Sequence, residues 1–296
     1  MNAEAGRQQS CYRHPDRPAY IQCQRCERYI CPQDMREASV GFQCPECVQT
    51  GAASVRQART LAGGAISTDV GAVTTVVIGI NLVFQVVVMA TGGSLWRSDG
   101  PFFRWGAMLG LATYDGGLHG VAEGDWWRLL TAAFLHGSIV HLAFNMYALY
   151  LFGPYVERLL GRWRFVATYI PLAVGSSVVV YLLEAQNRLT IGASGAVFGL
   201  FGLALVFLIR TRQNINGMLV LLAINAFISL QNGISWQGHL GGFVTGVVLG
   251  LVFAYAPRER RTVAHLGAFA VLWVLFLAAI SWRTDQLTGA LLPGWS

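Results

Sequence analysis

From about residue 71 onward the sequence is a succession of apolar runs, several of them near the roughly 20 residues needed to cross a bilayer core. Lipid offers no hydrogen bonds to the backbone, so such runs are restricted to helices or closed barrels. Seven candidate helices stand at about 71–91, 138–157, 163–183, 193–210, 216–231, 237–256 and 264–282, the fifth being short. At 54% hydrophobic and 12% charged, the 296-residue chain is too apolar for a soluble domain of this size. Residues 1–70 differ: they are polar and hold all six cysteines. The expectation is an all-α polytopic membrane protein preceded by a small soluble head. Residues 1–20 lack an apolar core, so no cleavable signal peptide is expected.

Basic residues orient the spans. All 21 are arginine, and the net charge is +6. Arg56 and Arg59 precede the first span. Arg158, Arg162 and Arg164 lie between the second and third. Arg210 and Arg212 follow the fourth, and Arg258, Arg260 and Arg261 follow the sixth. Alternating spans put all of these on one side, which the positive-inside bias makes the cytoplasm. The charge therefore calls for no nucleic acid. A multi-pass protein of a bacterial plasma membrane is expected, its head cytoplasmic and its even-numbered spans beginning outside. Segment 92–137, with Trp96, Phe102, Phe103, Trp105, Trp126 and Trp127, suits the outer membrane interface.

Three polar groups fall at the outer ends of even-numbered spans, where ionisable residues are costly and point to function. In HGSIVHLAFN, His141 and Asn145 are four apart and share a face. They donate either to a developing oxyanion or to a neighbouring helix. In GASGAVFG, Ser194 opens a span beside the small-residue stripe Gly195, Gly199, Gly202, which packing alone explains. In GHLGGFVTG, His239 precedes the close-approach pair Gly242 and Gly246. Alone it suits a metal or packing role equally well. Together the groups say more. Two glycine-striped helices approach closely, each carrying one partner of a nucleophile–base pair. A serine hydroxyl needs such a base, and His239 takes the proton and returns it to the leaving amine. No carboxylate lies near either residue in the sequence, so a Ser–His dyad is expected, with Phe198 stacking on the imidazole.

WWRLLTAAFLHGSIVHLAFN, GASGAVFG and GHLGGFVTG in this order resemble the rhomboid intramembrane serine proteases, over roughly residues 71–256. The resemblance implies a six-helix core, here followed by a seventh span with the C-terminal tail in 257–296. It implies Ser194 as nucleophile and His239 as general base. His141, Asn145 and the Ser194 N–H take the oxyanion positions. Trp127 and Arg128 match the Trp-Arg of the first outer loop, and Gly242 and Gly246 the sixth-helix glycines. Transmembrane proteins of the surrounding bilayer are the implied substrates, cleaved in or beside their spans. They enter laterally, water comes from an outward cavity, and no catalytic cofactor is needed. A non-catalytic rhomboid-like protein that binds or escorts helices is the alternative. A transporter using His136, His141 and His239 is disfavoured by the absence of internal repeats and of conducting acidic residues in the spans.

The head, residues 1–50, carries four pairs at one spacing: Cys11/His14, Cys23/Cys26, Cys31/Asp34 and Cys44/Cys47. A cytoplasmic location disfavours disulfides, and paired Cys-x-x-Cys spacing in a short polar segment reads as structural zinc. A crossed arrangement gives one ion Cys11, His14, Cys31 and Asp34, and the other Cys23, Cys26, Cys44 and Cys47. The alternative is one firm four-cysteine site with a looser second. The pattern is similar to cross-braced B-box zinc fingers, without their closing histidines. Residues 51–70 read as a linker, which seats the head near the membrane or lets it recruit a cytoplasmic protein partner.

Overall fold

The computed structural model describes residues 9–54, 58–66, 69–231 and 233–291. It divides into two compact units, Met1–Ala58 and Arg59–Ser296.

The first unit is built from short pieces. Strands β1 (Ile21–Gln22) and β2 (Tyr29–Ile30) pair antiparallel, as do β3 (Arg36–Glu37) and β4 (Phe42–Gln43). Helix α1 (Pro45–Ser54) follows, opening on a proline whose missing N–H costs a helix start nothing. Its apolar core is two small clusters, each seeded by cysteines: Cys11, Ala19 and Cys31 in one, Cys23, Ile30 and Cys44 in the other. So little buried apolar surface does not hold a domain of this length alone.

The second unit is helical. Its long helices are α2 (Ala72–Ala90), α5 (Ile139–Leu160), α6 (Arg162–Leu183), α9 (Trp236–Tyr255) and α10 (Arg261–Leu291). All five are long and apolar enough to cross a membrane. Two shorter apolar helices, α7 (Ser194–Arg210) and α8 (Asn216–Ser229), complete the bundle. Helix α10 extends well beyond the 264–282 expected, because Arg261 and the polar 283–288 stretch continue its helix. Within 51–70, residues 51–54, 58–66 and 69–70 are described. Helix α1 runs to Ser54, and residues 59–65 form a turn in the second unit that packs on the end of α5. There the Ala62 N–H donates to the Leu159 carbonyl, and Gly64 leaves no room for a Cβ against the Leu160 carbonyl.

Segment 92–137 folds into α3 (Pro101–Gly106), the hairpin β5 (Ala112–Tyr114)–β6 (Gly117–His119) and α4 (Arg128–Thr131). Arg128 organises it from within. Almost fully buried, its guanidinium pairs with Asp125 at 2.8 Å and donates to the Arg104 and Ala107 carbonyls and the Tyr114 hydroxyl. Trp127 donates from Nε1 to the Trp105 carbonyl at 3.0 Å and stacks on that indole.

Helices α6 and α7 form the centre, with twelve of the 17 residues of α7 buried. The α7–α9 seam sets the relative placement of the first turns of those two helices. A Cβ on Gly242 would stand 1.8 Å from the Gly195 carbonyl oxygen, and one on Gly246 would stand 1.9 Å from that of Gly199. Backbone meets backbone there, and no residue but glycine fits.

Candidate active site

His141, Ser194 and His239 each occupy the first turn of a helix, and caps fix two of those turns. Ser138 caps α5 by accepting from the His141 N–H at 3.2 Å. Ser235 caps α9 by accepting from the Gly238 N–H at 3.3 Å and donates its own proton to Glu184 at 2.8 Å. Ser194 is the first residue of α7. The glycine seam brings the starts of α7 and α9 together, so that Ser194 Oγ lies 2.8 Å from His239 Nε2.

The partners of His239 define its tautomer. Its Nδ1 lies 2.5 Å from Ser229 Oγ, at the end of α8, and Ser229 donates to the Asn225 carbonyl at 2.6 Å. With the Ser229 proton committed to that carbonyl, Nδ1–H donates to Ser229 and Nε2 is left to accept from Ser194. A chain runs Ser194 → His239 → Ser229 → Asn225 carbonyl. The Phe198 ring lies parallel to the imidazole, centroids 4.2 Å apart and planes 7° apart. Among the described residues no carboxylate touches His239. The sequence reasoning missed Ser229, which is ten positions from the histidine and on another helix. The only local signal was a hydroxyl closing an apolar run.

His141 approaches Ser194 across Gly192. The His141 Nδ1 accepts from the Gly137 N–H at 3.3 Å, so its proton sits on Nε2. A Cβ on Gly192 would stand 2.8 Å from that Nε2 and 3.5 Å from Ser194 Oγ. Gly192 also has φ +123°, a conformation that disfavours any side chain. The space it leaves is bordered by the Ser194 hydroxyl and a donor, an arrangement that could hold a tetrahedral oxyanion. The Ser194 N–H is among the helix-start amides without an intrahelical acceptor. Asn145 is buried one turn beyond His141 and spends one amide hydrogen on the His141 carbonyl at 3.0 Å. His136 is fully buried behind them, edge-on to His141 and accepting from the Ala193 N–H at 3.5 Å. It supports the loop before Ser194 from behind.

Helix α7 has 17 residues, or about 25 Å at 1.5 Å per residue, short of the roughly 30 Å hydrocarbon core.

The head holds two tetrads. Cys23, Cys26, Cys44 and Cys47 form one, and Cys11, His14, Cys31 and Asp34 the other, each with its donor atoms within 4.8 Å of one another. Tetrahedral zinc, with bonds of about 2.0–2.3 Å, sets its ligand atoms about 3.3–3.8 Å apart. The Cys26 and Cys44 sulfurs are 3.8 Å apart, His14 Nδ1 is 3.5 Å from Cys31 Sγ, and Cys11 Sγ is 3.3 Å from Asp34 Oδ2. A disulfide, by contrast, needs about 2.05 Å. N–H groups of Cys44 and Cys47 and the Arg28 guanidinium donate to sulfurs of the first tetrad, as thiolates require. Burial raises the Cys23 thiol, but donated backbone hydrogen bonds, that of Cys44 foremost, prevail and bring it down to about 6. The neighbouring thiols Cys44, Cys26 and Cys23, with some burial, push Cys47 up to about 12. Burial likewise opposes ionisation of Asp34, yet Cys11, Arg13 and His14 hold its carboxyl below the usual range. Both donor sets fit a divalent cation.

Comparison with known proteins decides the family. The family model described as Rhomboid domain matches residues 123–256, which hold α4 to α9. YdcA of Bacillus subtilis, whose name places it with the rhomboid proteases, is 37% identical over 149 residues, 48% of this chain and 74% of that protein. The chain belongs to the rhomboid family. This places it by class among the serine-type intramembrane proteases, as a multi-pass membrane protein. The rhomboid protease GluP of Bacillus subtilis is 36% identical, over 49% of this chain and 30% of GluP. The rhomboid-type serine protease 2 of Emericella nidulans is 32% identical, over 47% and 29%. The chain thus spans less than a third of these two relatives. The head and α10 lie outside residues 123–256.

Proposed function

We propose that the chain hydrolyses peptide bonds in or beside the spans of other membrane proteins, with Ser194 as nucleophile and His239 as general base. The observation that carries this reading is the 2.8 Å contact of Ser194 Oγ with His239 Nε2, whose other nitrogen is held by Ser229. His239 Nε2 takes the Ser194 proton as Oγ attacks the scissile carbonyl. The resulting oxyanion sits in the Gly192 space, accepting from His141 Nε2–H, the Ser194 N–H and the second amide hydrogen of Asn145. His239 returns the proton to the leaving amine, and an acyl-enzyme on Ser194 remains. Water attacks it with His239 again as base, and Oγ regains its proton.

In this reading the active site opens toward the outer face of a bacterial plasma membrane, and the head is cytoplasmic. Each tetrad of the head takes one structural zinc, which supplies the folding energy its small core lacks. The head then offers a surface to a cytoplasmic protein partner.

Fluorophosphonate labelling of the membrane-embedded chain, alongside cleavage of a reporter transmembrane substrate, tests the assignment. Wild type is expected to be labelled and to cleave, and Ser194→Ala to do neither while still folding. Cleavage by Ser194→Ala at the wild-type rate refutes the nucleophile. Reproducible failure of wild type to label favours a binder that escorts helices.

A further inference from the structure

At the ends of the spans opposite Ser194 and His239, basic side chains gather. Arg59 donates from Nη1 to the Gly63 carbonyl at 3.3 Å. Arg261, the first residue of α10, lies over the same turn, its Nη1 2.8 Å from where a Gly63 Cβ would be. Arg164, in the first turn of α6, lies within electrostatic reach of both. His265, one turn into α10, is within reach of Arg164 and Arg261. The group is graded in depth: Arg59 is exposed, Arg164 and Arg261 are half-buried, and His265 is 4% exposed.

His265 is the informative member. Both of its ring nitrogens are buried without a hydrogen-bond partner, and the ring stands edge-on to Phe253 at 4.6 Å. The Arg261 Nε is buried and unpartnered too. Nearby Arg162, whose Nε is likewise buried and unpartnered, still finds an ion pair with Asp69 at 2.8 Å. Among the described residues, no carboxylate does the same for Arg59, Arg164 or Arg261. Like charges brought together repel, and buried donors without acceptors forfeit hydrogen bonds. An anion with several acceptor oxygens relieves both costs.

Depth selects the kind of anion. The cluster lies where α5 and α9 end and α6 and α10 begin, which for spanning helices is headgroup level. The arginine bias makes that leaflet the cytoplasmic one, which is anionic, and basic pockets between helices there suit lipid phosphates. We propose that Arg59, Arg164, Arg261 and His265 form a binding site for the phosphodiester headgroup of an anionic lipid, which ties α10 and the 59–65 turn to the protease core.

The test is native mass spectrometry of the full chain in detergent, mixed with phosphatidylglycerol or phosphatidylcholine, with millimolar inorganic phosphate as competitor. Phosphatidylglycerol is expected to be retained about tenfold more than phosphatidylcholine. That preference should vanish in the Arg164→Gln/Arg261→Gln double variant. It should survive in Arg258→Gln/Arg260→Gln, which removes two exposed charges at the same end of the spans. Equal retention of the two lipids, or equal loss in both double variants, overturns the site. Displacement by inorganic phosphate overturns the lipid assignment. If the first double variant fails to fold, His265→Asn decides: lost preference supports the site, and unchanged preference refutes it.

Discussion

Replacing Ser229 with alanine removes the one side chain that fixes the imidazole tautomer. The Nδ1–H then loses its 2.5 Å acceptor in a half-buried setting, and nothing else among the described residues contacts that nitrogen. An unsatisfied buried donor costs about 1–3 kcal/mol, which at the chemical step is roughly 5- to 150-fold in kcat. The upper bound is set by the aspartate of a charged triad, whose replacement costs about 10,000-fold. A neutral hydroxyl stabilises an imidazolium far less. The Phe198 stack, 4.2 Å from the ring, limits the damage by holding the ring plane. The expected result for Ser229→Ala is a roughly 10- to 100-fold lower kcat with KM little changed. Fluorophosphonate labelling should slow in step, and melting should be near normal. Ser229→Thr keeps the hydroxyl and should recover most of the activity. Unchanged labelling, or an effect confined to KM, would refute the orienting role and leave Ser229 a mere partner of its own helix.

Other outcomes follow from single distances. Gly192→Ala places a methyl 2.8 Å from His141 Nε2, in the oxyanion space, and strains a φ of +123°. Loss of one oxyanion donor costs about 100- to 1000-fold, so cleavage should drop at least that far while the bundle stays assembled, as read by thermal unfolding in detergent. Gly246→Val drives a side chain into the Gly199 carbonyl and should lower the melting temperature as well as activity. A variant that melts like wild type would mean the α7–α9 seam is looser than described. Elemental analysis of the full chain should find two zinc ions, and one after Cys44→Ser, since the tetrads share no ligand. Two retained ions in that variant would refute the ligand assignment of Cys44.

The candidate site is legible in the sequence where its residues lie inside short motifs. Ser194 and His239 each stand beside a glycine stripe, and the two stripes meet in the structure. The crossed grouping of the head was legible because four pairs at one spacing leave few pairings. Ser229 was not legible, because its place is set by how α8 leans on α9, a tertiary fact without local pattern. Arg128 was picked out only by resemblance. Its physical role, four contacts that knit the outer segment together, needed the fold. Residues 59–65 read as linker because small polar residues look alike whether loose or docked. Only the clash that any Gly64 side chain would meet tells them apart.

The chain from His239 through Ser229 to the Asn225 carbonyl also bears on why no carboxylate stands there. A buried aspartate beside His239 would put an ionised group in α8, a helix of 14 residues in which only Met218 and Ser229 are buried. Insertion scales put such a charge at about 2.5–3.5 kcal/mol at a helix centre, and at less toward a helix end such as Ser229. A serine backed by a carbonyl orients the imidazole with no net charge. It sacrifices imidazolium stabilisation, and rigidity then has to supply what charge does not. The glycine seam, the flat Phe198 stack and the capped start of α9 are three independent restraints on one ring. On this reasoning Ser229→Asp should fail to restore activity, despite offering the stronger acceptor. A Ser229→Asp enzyme faster than wild type would show that charge, not placement, limits the dyad.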